Sequence, residues 1–260
     1  MIVEIPAYLD IISNVAPLIA AASVLSLLWL GLRRRVPGAN LRLAISLALV
    51  LLAWLAAMWA LATAGIFQAR TTPQNPAVGL SVIVPVIVGL AILLRSPRVA
   101  ALVDGMPAAW LVRVQVYRVL GGIFLAIWAS GGLPGAFALP AGIGDVLVGL
   151  LAIPVAASLS SGARGAGIAA YAWNVLGIAD LVIAVSTGFL SSPGPAQLLA
   201  LDHPNLLISA FPLVMIPNFA VPLSLILHGL SLWQLRRGAG TAGRRSLHDG
   251  NDHFSATGTA

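Results

Sequence analysis

Long, almost wholly apolar runs recur seven times along this chain, at about residues 11–32, 43–67, 76–94, 114–130, 139–159, 167–189 and 206–235. A bilayer's hydrocarbon core is crossed by roughly 20 helical residues, so each run is long enough to span it or nearly so. Inside lipid every backbone N–H and C=O must be paired within the protein, which leaves helices or a closed barrel as the choices, and runs of this length read as helices. The expected fold is therefore all-α, a bundle of seven transmembrane helices in one domain over residues 1–235. Only 8% of the residues are charged, against about a quarter in an ordinary soluble domain. That leaves no room for a second, soluble catalytic domain. The stretch from 99 to 113 carries Asp104, Gly105, Pro107 and Trp110 and is expected to form a short interfacial helix. The tail at 236–260 is Gly, Ala, Ser and Thr with a few charges and is expected to be disordered on the cytoplasmic side.

Orientation follows from the arginines. Arg33, Arg34, Arg35 and Arg42 follow the first run; Arg95, Arg98 and Arg113 follow the third; Arg164 follows the fifth; Arg236 and Arg237 follow the last. The opposite side has Arg70. Cytoplasmic loops are enriched in basic residues, which places the N-terminus outside and the C-terminus in the cytoplasm and requires an odd number of spans. Residues 1–10 show no pattern of a cleaved signal peptide. The net charge of +6 is then a membrane-topology signal rather than a nucleic-acid one.

Composition removes several functions. The chain has no Cys, hence no disulfide, thiolate metal site or cysteine nucleophile. It has no Lys, so no retinal Schiff base of the microbial rhodopsin kind can form. Glu4 is the single glutamate, and no Walker, Gly-x-Ser-x-Gly or zinc-protease pattern occurs. No cofactor or metal is expected.

Charges inside the apolar runs are the first candidates for chemistry, because each costs at least about 2.5–3.5 kcal/mol at the centre of a bilayer. Asp145 lies about six residues, roughly 9 Å, into the fifth run, and Asp180 about nine residues, roughly 14 Å, from the outer end of the sixth. Consecutive helices are usually neighbours. The two carboxylates can then share one outward cavity, where mutual repulsion favours a group that takes and releases a proton; the alternative is that each caps or hydrogen-bonds backbone. Gly142, Asp145, Gly149 and Ala152 form a small-residue stripe, and Asn174, Gly177 and Asp180 form a polar arc on the sixth helix. Pro212, Pro217 and Pro222 interrupt the last run and free carbonyls around Asn218, an arrangement transporters use for solute or ion sites and that also serves packing. Arg118, with Tyr117 beside it and Gln115 and Gly122 on its face, either snorkels to head groups or turns inward to pair with Asp180 or hold Asn218. His228, His203 beside Asp202, and the tail cluster His248, Asp249, Asp252 and His253 are weaker candidates.

The stretches Gln115 to Leu125 (QVYRVLGGIFL), Leu139 to Asp145 (LPAGIGD) and Asn174 to Asp180 (NVLGIAD), with Asn218 and His228 on the last helix, resemble a group of bacterial multi-pass membrane proteins with no assigned activity. The resemblance covers helices four to seven and implies a bacterial inner-membrane location, but no substrate. Three functions remain open. The first is a small-solute or proton- or cation-linked transporter or channel, with Asp145 and Asp180 titrating or binding the cation, Asn174 and Asn218 as neutral ligands, and Arg118 and Tyr117 in the same site. The second is a non-transporting receptor, sensor or assembly partner that binds a lipid or small molecule in an outer cavity. The third, less favoured, is an intramembrane enzyme on a lipid substrate. Expected partners are the lipid bilayer and a small solute, ion or lipid, with oligomers allowed and no nucleic acid.

Overall fold

The computed structural model describes residues 7–68 and 76–256, with side chains from Leu9 to Gln68 and from Pro76 to Gly238. Among the described residues seven helical segments are long and apolar enough to cross a membrane: Leu9–Arg33, Leu41–Thr63, Pro76–Arg95, Ala108–Ala129, Gly135–Ser161, Ala166–Ser191 and Ile216–Gly238. The first three are α1 (Ala7–Arg33), α2 (Leu41–Thr63) and α3 (Pro76–Arg95). Large apolar side chains such as Trp29, Val50, Ile87, Ile153 and Val182 are exposed along these helices. An exterior of this kind requires an apolar solvent, and the chain is read as a multi-pass membrane protein.

Caps set the helix starts. The Asn40 side chain accepts a hydrogen bond from the Leu43 N–H at 2.9 Å to begin α2, and Ser96 accepts from the Val99 N–H at 3.3 Å to begin α4 (Pro97–Gly105), each satisfying a donor that the first helical turn leaves orphaned. The expected interfacial segment is thus α4 alone. Pro107, extended at ψ 130°, ends it, and Ala109, Leu111 and Val112 are buried, so residues from Ala108 onward belong to the fourth span.

That span is not a uniform α-helix. A short α5 (Ala108–Arg113) leads into a 3-10 helix at Val114–Gly122 and then α6 (Ile123–Ala129). Nine residues of 3-10 helix is long for a conformation that seldom exceeds three or four, and it brings side chains three apart into register. Gln115, Arg118 and Gly121 accordingly lie on one line and are all buried, whereas an α-helical reading puts Gly122 on that face.

The fifth and sixth spans are α7 (Gly135–Ser161) and α8 (Ala166–Ser191), and they pack along each other. The last run does not begin its helix at 206. Leu207–Ser209 is a single 3-10 turn, residues 210–215 are irregular, Ile216–Ala220 is a π-helical turn, and α9 (Val221–Ala256) follows. Pro217 and Pro222 each sit at the start of their segment, where a missing N–H costs little. The tail expected to be disordered concerns residues whose side chains, from 239 onward, lie outside those described. The seventh span is the most enclosed of the seven and touches α3, α4, α5 and α8.

The end of the bundle holding the C-termini of α1, α3 and α7 is stapled together. A Cβ on Gly38, whose φ of +81° already favours glycine, would lie 2.6 Å from the Leu102 nitrogen, so the α1–α2 loop presses on α4. Arg237 of α9 donates to both Asp104 oxygens, at 2.9 Å from Nε to Oδ1 and 2.6 Å from Nη2 to Oδ2. We call this the Ser161 end and the opposite one the Gly135 end.

Candidate functional site

The centre of the bundle is organised by one arginine. Arg118 points inward and is 3% exposed, which resolves the alternatives of snorkelling and inward counter-charge. Its Nε donates to Asp145 Oδ1 at 2.8 Å, and Nη2 stands 2.7 Å from the same oxygen. Nη2 also pairs with Asp180 Oδ2. Nη1 donates to the Gly177 carbonyl at 3.3 Å and lies 3.1 Å from His228 Nε2. The guanidinium thus joins the 3-10 helix to α7, α8 and α9, the fork of donors reaching four partners at once.

The imidazole tautomer follows from its neighbours. Arginine can only donate, so His228 Nε2 accepts. Asn174 Nδ2 donates to the Ala170 carbonyl at 2.8 Å and to Ser231 Oγ at 3.0 Å, which leaves Asn174 Oδ1 to accept from His228 Nδ1 at 2.9 Å. The ring is therefore a neutral imidazole with its proton on Nδ1, and it lies 4.9 Å, centroid to centroid, from the Trp173 indole. Trp173 Nε1 in turn donates to the Val148 carbonyl on α7 at 2.9 Å.

Glycines make the space for this cluster. A Cβ on Gly121 would fall 2.6 Å from the Asp145 carboxyl carbon, one on Gly144 would fall 2.5 Å from that of Asp180, and one on Gly177 would strike the His228 ring and come within 3.1 Å of Arg118 Nη1. The small stripe on α7 faces the fourth span as well: a Cβ on Gly149 would lie 2.7 Å from the Val119 nitrogen. Backbones in contact at this range let short carboxylate side chains reach across.

Two cavities adjoin the cluster. The smaller, about 30 Å³, is bordered by Tyr117, Arg118, Gly121, Asp145 and Ser224, with Tyr117 Oη and Ser224 Oγ hydrogen-bonded at 2.8 Å on its wall. The larger, about 380 Å³, lies between α3, α7, α8 and the segment before α9, from Phe67 and Pro76 at the Gly135 end down to Asp145. Asp145 is ten residues into α7, or about 15 Å along the axis. Asp180 and Asn218 border neither cavity.

Of the residues singled out in the sequence, Arg118, Asp145, Asp180 and Asn174 meet in one network, Asn174 through His228. Tyr117 stands beside it, bonded to Ser224. Asn218 does not join: it is fully buried in the π-helical turn, and neither its Oδ1 nor its Nδ2 has a hydrogen-bond partner. Gln115 is likewise buried with its amide unpartnered. Asp202 and His203 are exposed in the α8–α9 connection, and His248, Asp249, Asp252 and His253 fall outside the described side chains. The structure raises His228 from a weaker candidate to a member of the network and adds Ser224, Ser231 and Gln234, all buried. Spaced four, three and three residues apart, they form a polar stripe on one face of α9, and that helical spacing is the signal that could have found them.

Residues 75–236 match the domain-of-unknown-function family DUF8737. The chain belongs to this family. The DUF8737 region runs from the start of α3 to residue 236 in the seventh span, so it contains every member of the Arg118 network; a family of unknown function is consistent with the resemblance to proteins with no assigned activity. No curated protein and no solved structure matches the chain.

Proposed function

We propose that this DUF8737 protein is a proton- or cation-linked carrier of a small solute, with the Arg118–Asp145–Asp180 cluster as its coupling centre. The observation that carries the reading is a charge count: two carboxylates share one guanidinium, and the histidine beside them is neutral. With both acids ionised the cluster holds one negative charge in excess, in a medium where an uncompensated charge is costly. A proton or a cation supplies the balance. Two further features support the reading. The larger cavity reaches Asp145 from the Gly135 end, while towards the Ser161 end the polar groups are closed by hydrogen bonds through His228, Asn174 and Ser231. Access from one side to a central charge, with non-α segments in the fourth and seventh spans flanking it, is how carriers with broken helices bind coupling ions.

The arginine distribution supports a cytoplasmic Ser161 end, and the resemblance to bacterial multi-pass proteins supports an inner-membrane location. The test is proton flux into liposomes carrying the purified protein and an internal pH dye. Flux is expected from the wild type and from Asp180→Glu, and is expected to be lost in Asp180→Asn; flux that persists in Asp180→Asn at every pH overturns the reading. The second reading, a non-transporting receptor for a lipid or small molecule, is favoured by the blind end of the large cavity at Asp145. Saturable ligand binding without any flux would select it.

A further inference from the structure

We propose that the 380 Å³ cavity is the binding site of an amphipathic organic monocation, an amine or quaternary ammonium on an aromatic or aliphatic body. This deepens the proposal above and rests on its reading of the Arg118–Asp145–Asp180 cluster as a site for positive charge. The volume is within the range of small-molecule sites, which are mostly apolar with a few placed polar groups. The walls are of that kind. Phe67, Phe124, Phe137 and Phe189 contribute four aromatic rings, and the remaining lining is aliphatic apart from Asp145 and the hydroxyls of Ser186, Ser192 and Ser209.

Charge complementarity selects the ligand's sign. Among the described residues Asp145 is the one charged residue that lines the cavity, and none of those lining it is basic. Both Arg118 contacts to Asp145 fall on Oδ1, so Oδ2, which lies towards Gly121, is not engaged by the guanidinium. The arginine cannot turn to meet an anion, because each of its nitrogens is already engaged by Asp145, Asp180, Gly177 or His228. An anionic ligand adds to the excess negative charge of the cluster and a neutral one leaves its balance to a proton, whereas a monocation beside the Asp145 carboxylate cancels it. The rings of Phe67, Phe137 and Phe189, towards the Gly135 end, offer apolar area to the ligand's body. Val82, Leu181 and Val221 pack together beside Asp145, so the ligand's apolar body extends towards the Gly135 end while its head stays at the carboxylate.

The experiment is equilibrium binding of radiolabelled benzyltriethylammonium to the full-length protein in detergent, beside its uncharged carbon isostere and an anionic benzylsulfonate. The cation is expected to bind saturably and at least tenfold more tightly than either control. Asp145→Asn is expected to lower its affinity at least tenfold and Phe124→Ala several-fold. Because Asp145→Asn also alters the ion pair, Ala184→Trp, which fills the cavity from α8 without touching the cluster, is the second variant; it is expected to abolish binding while thermal unfolding and gel-filtration profiles stay those of the wild type. Equal binding of the uncharged isostere, tighter binding of the sulfonate, or undiminished cation binding in folded Ala184→Trp overturns the proposal. The flux assay separates it from the carrier reading. Cation binding without proton flux removes the carrier and leaves this site standing, and proton flux in a protein that does not bind the cation removes the site and leaves the carrier.

Discussion

Arg118 shows how much one side chain can decide in a chain with so few charges. Removing a single member of a buried ion cluster leaves its partners uncompensated, at a cost of about 3–5 kcal/mol. Arg118→Met is therefore expected to lower the thermal unfolding temperature in detergent sharply, and adding Asp145→Asn and Asp180→Asn to it is expected to recover most of the loss. Arg118→Lys is expected to fail as a replacement, since an ammonium is a point donor and the site uses a planar fork to reach Asp145, Asp180, His228 and the Gly177 carbonyl. A lysine variant as stable as wild type would contradict this account. Asp145, Asp180 and Arg118 were legible in the sequence because a charge within an apolar run stands out without any knowledge of its partner. His228 was not, because a single histidine on a helix reads the same whether it faces lipid head groups or, as here, bridges Arg118 and Asn174.

At the scale of elements, backbone proximity places these groups, and glycine permits it. Gly177→Ala would push a methyl group into the His228 ring, and overpacking of this kind typically costs about 1–3 kcal/mol. Gly167 lies on the same helix with nothing within 4 Å of its would-be Cβ, so Gly167→Ala is expected to leave the unfolding temperature unchanged or slightly raised. Equal losses in the two variants would show that helix propensity, rather than contact with the imidazole, sets the effect. In the π-helical turn, the Asn218 amide is buried without a partner, a state that costs about 1–3 kcal/mol. Asn218→Leu is expected to stabilise the protein in the same assay; a large loss of stability would mean that the amide has a structural role. The existence of the spans was readable from apolar run length. The 3-10 winding of Val114–Gly122 and the late start of the last helix at Ile216 were not, since the same apolar residues serve an α-helix, a 3-10 helix or an irregular segment, and neighbouring elements choose among them.

Over the whole molecule the arginines and the cavity define two different ends. The Ser161 end carries the stapled loops and Arg237; the Gly135 end carries the Phe67 and Pro76 part of the cavity's lining. A green fluorescent reporter fused at the C-terminus is expected to fluoresce in a bacterial host, and a phosphatase that needs export is expected to be inactive at the same point; the reverse pattern would place the cavity on the cytoplasmic side. Run length and the desolvation of a charge are properties of each segment alone, so the amino-acid order was enough to show a multi-pass helical protein with Asp145, Asp180 and Arg118 as its costly residues. Helix packing in three dimensions was needed to bring these three together, to extend the network through His228 and Asn174 while Asn218 stays apart, and to put Asp145 on the wall of a Phe-lined cavity. Those outcomes depend on the rotation and register of helices against one another, which arise from close packing at Gly121, Gly144, Gly149 and Gly177 and from the three-residue winding around Arg118, and no spacing along the chain encodes them.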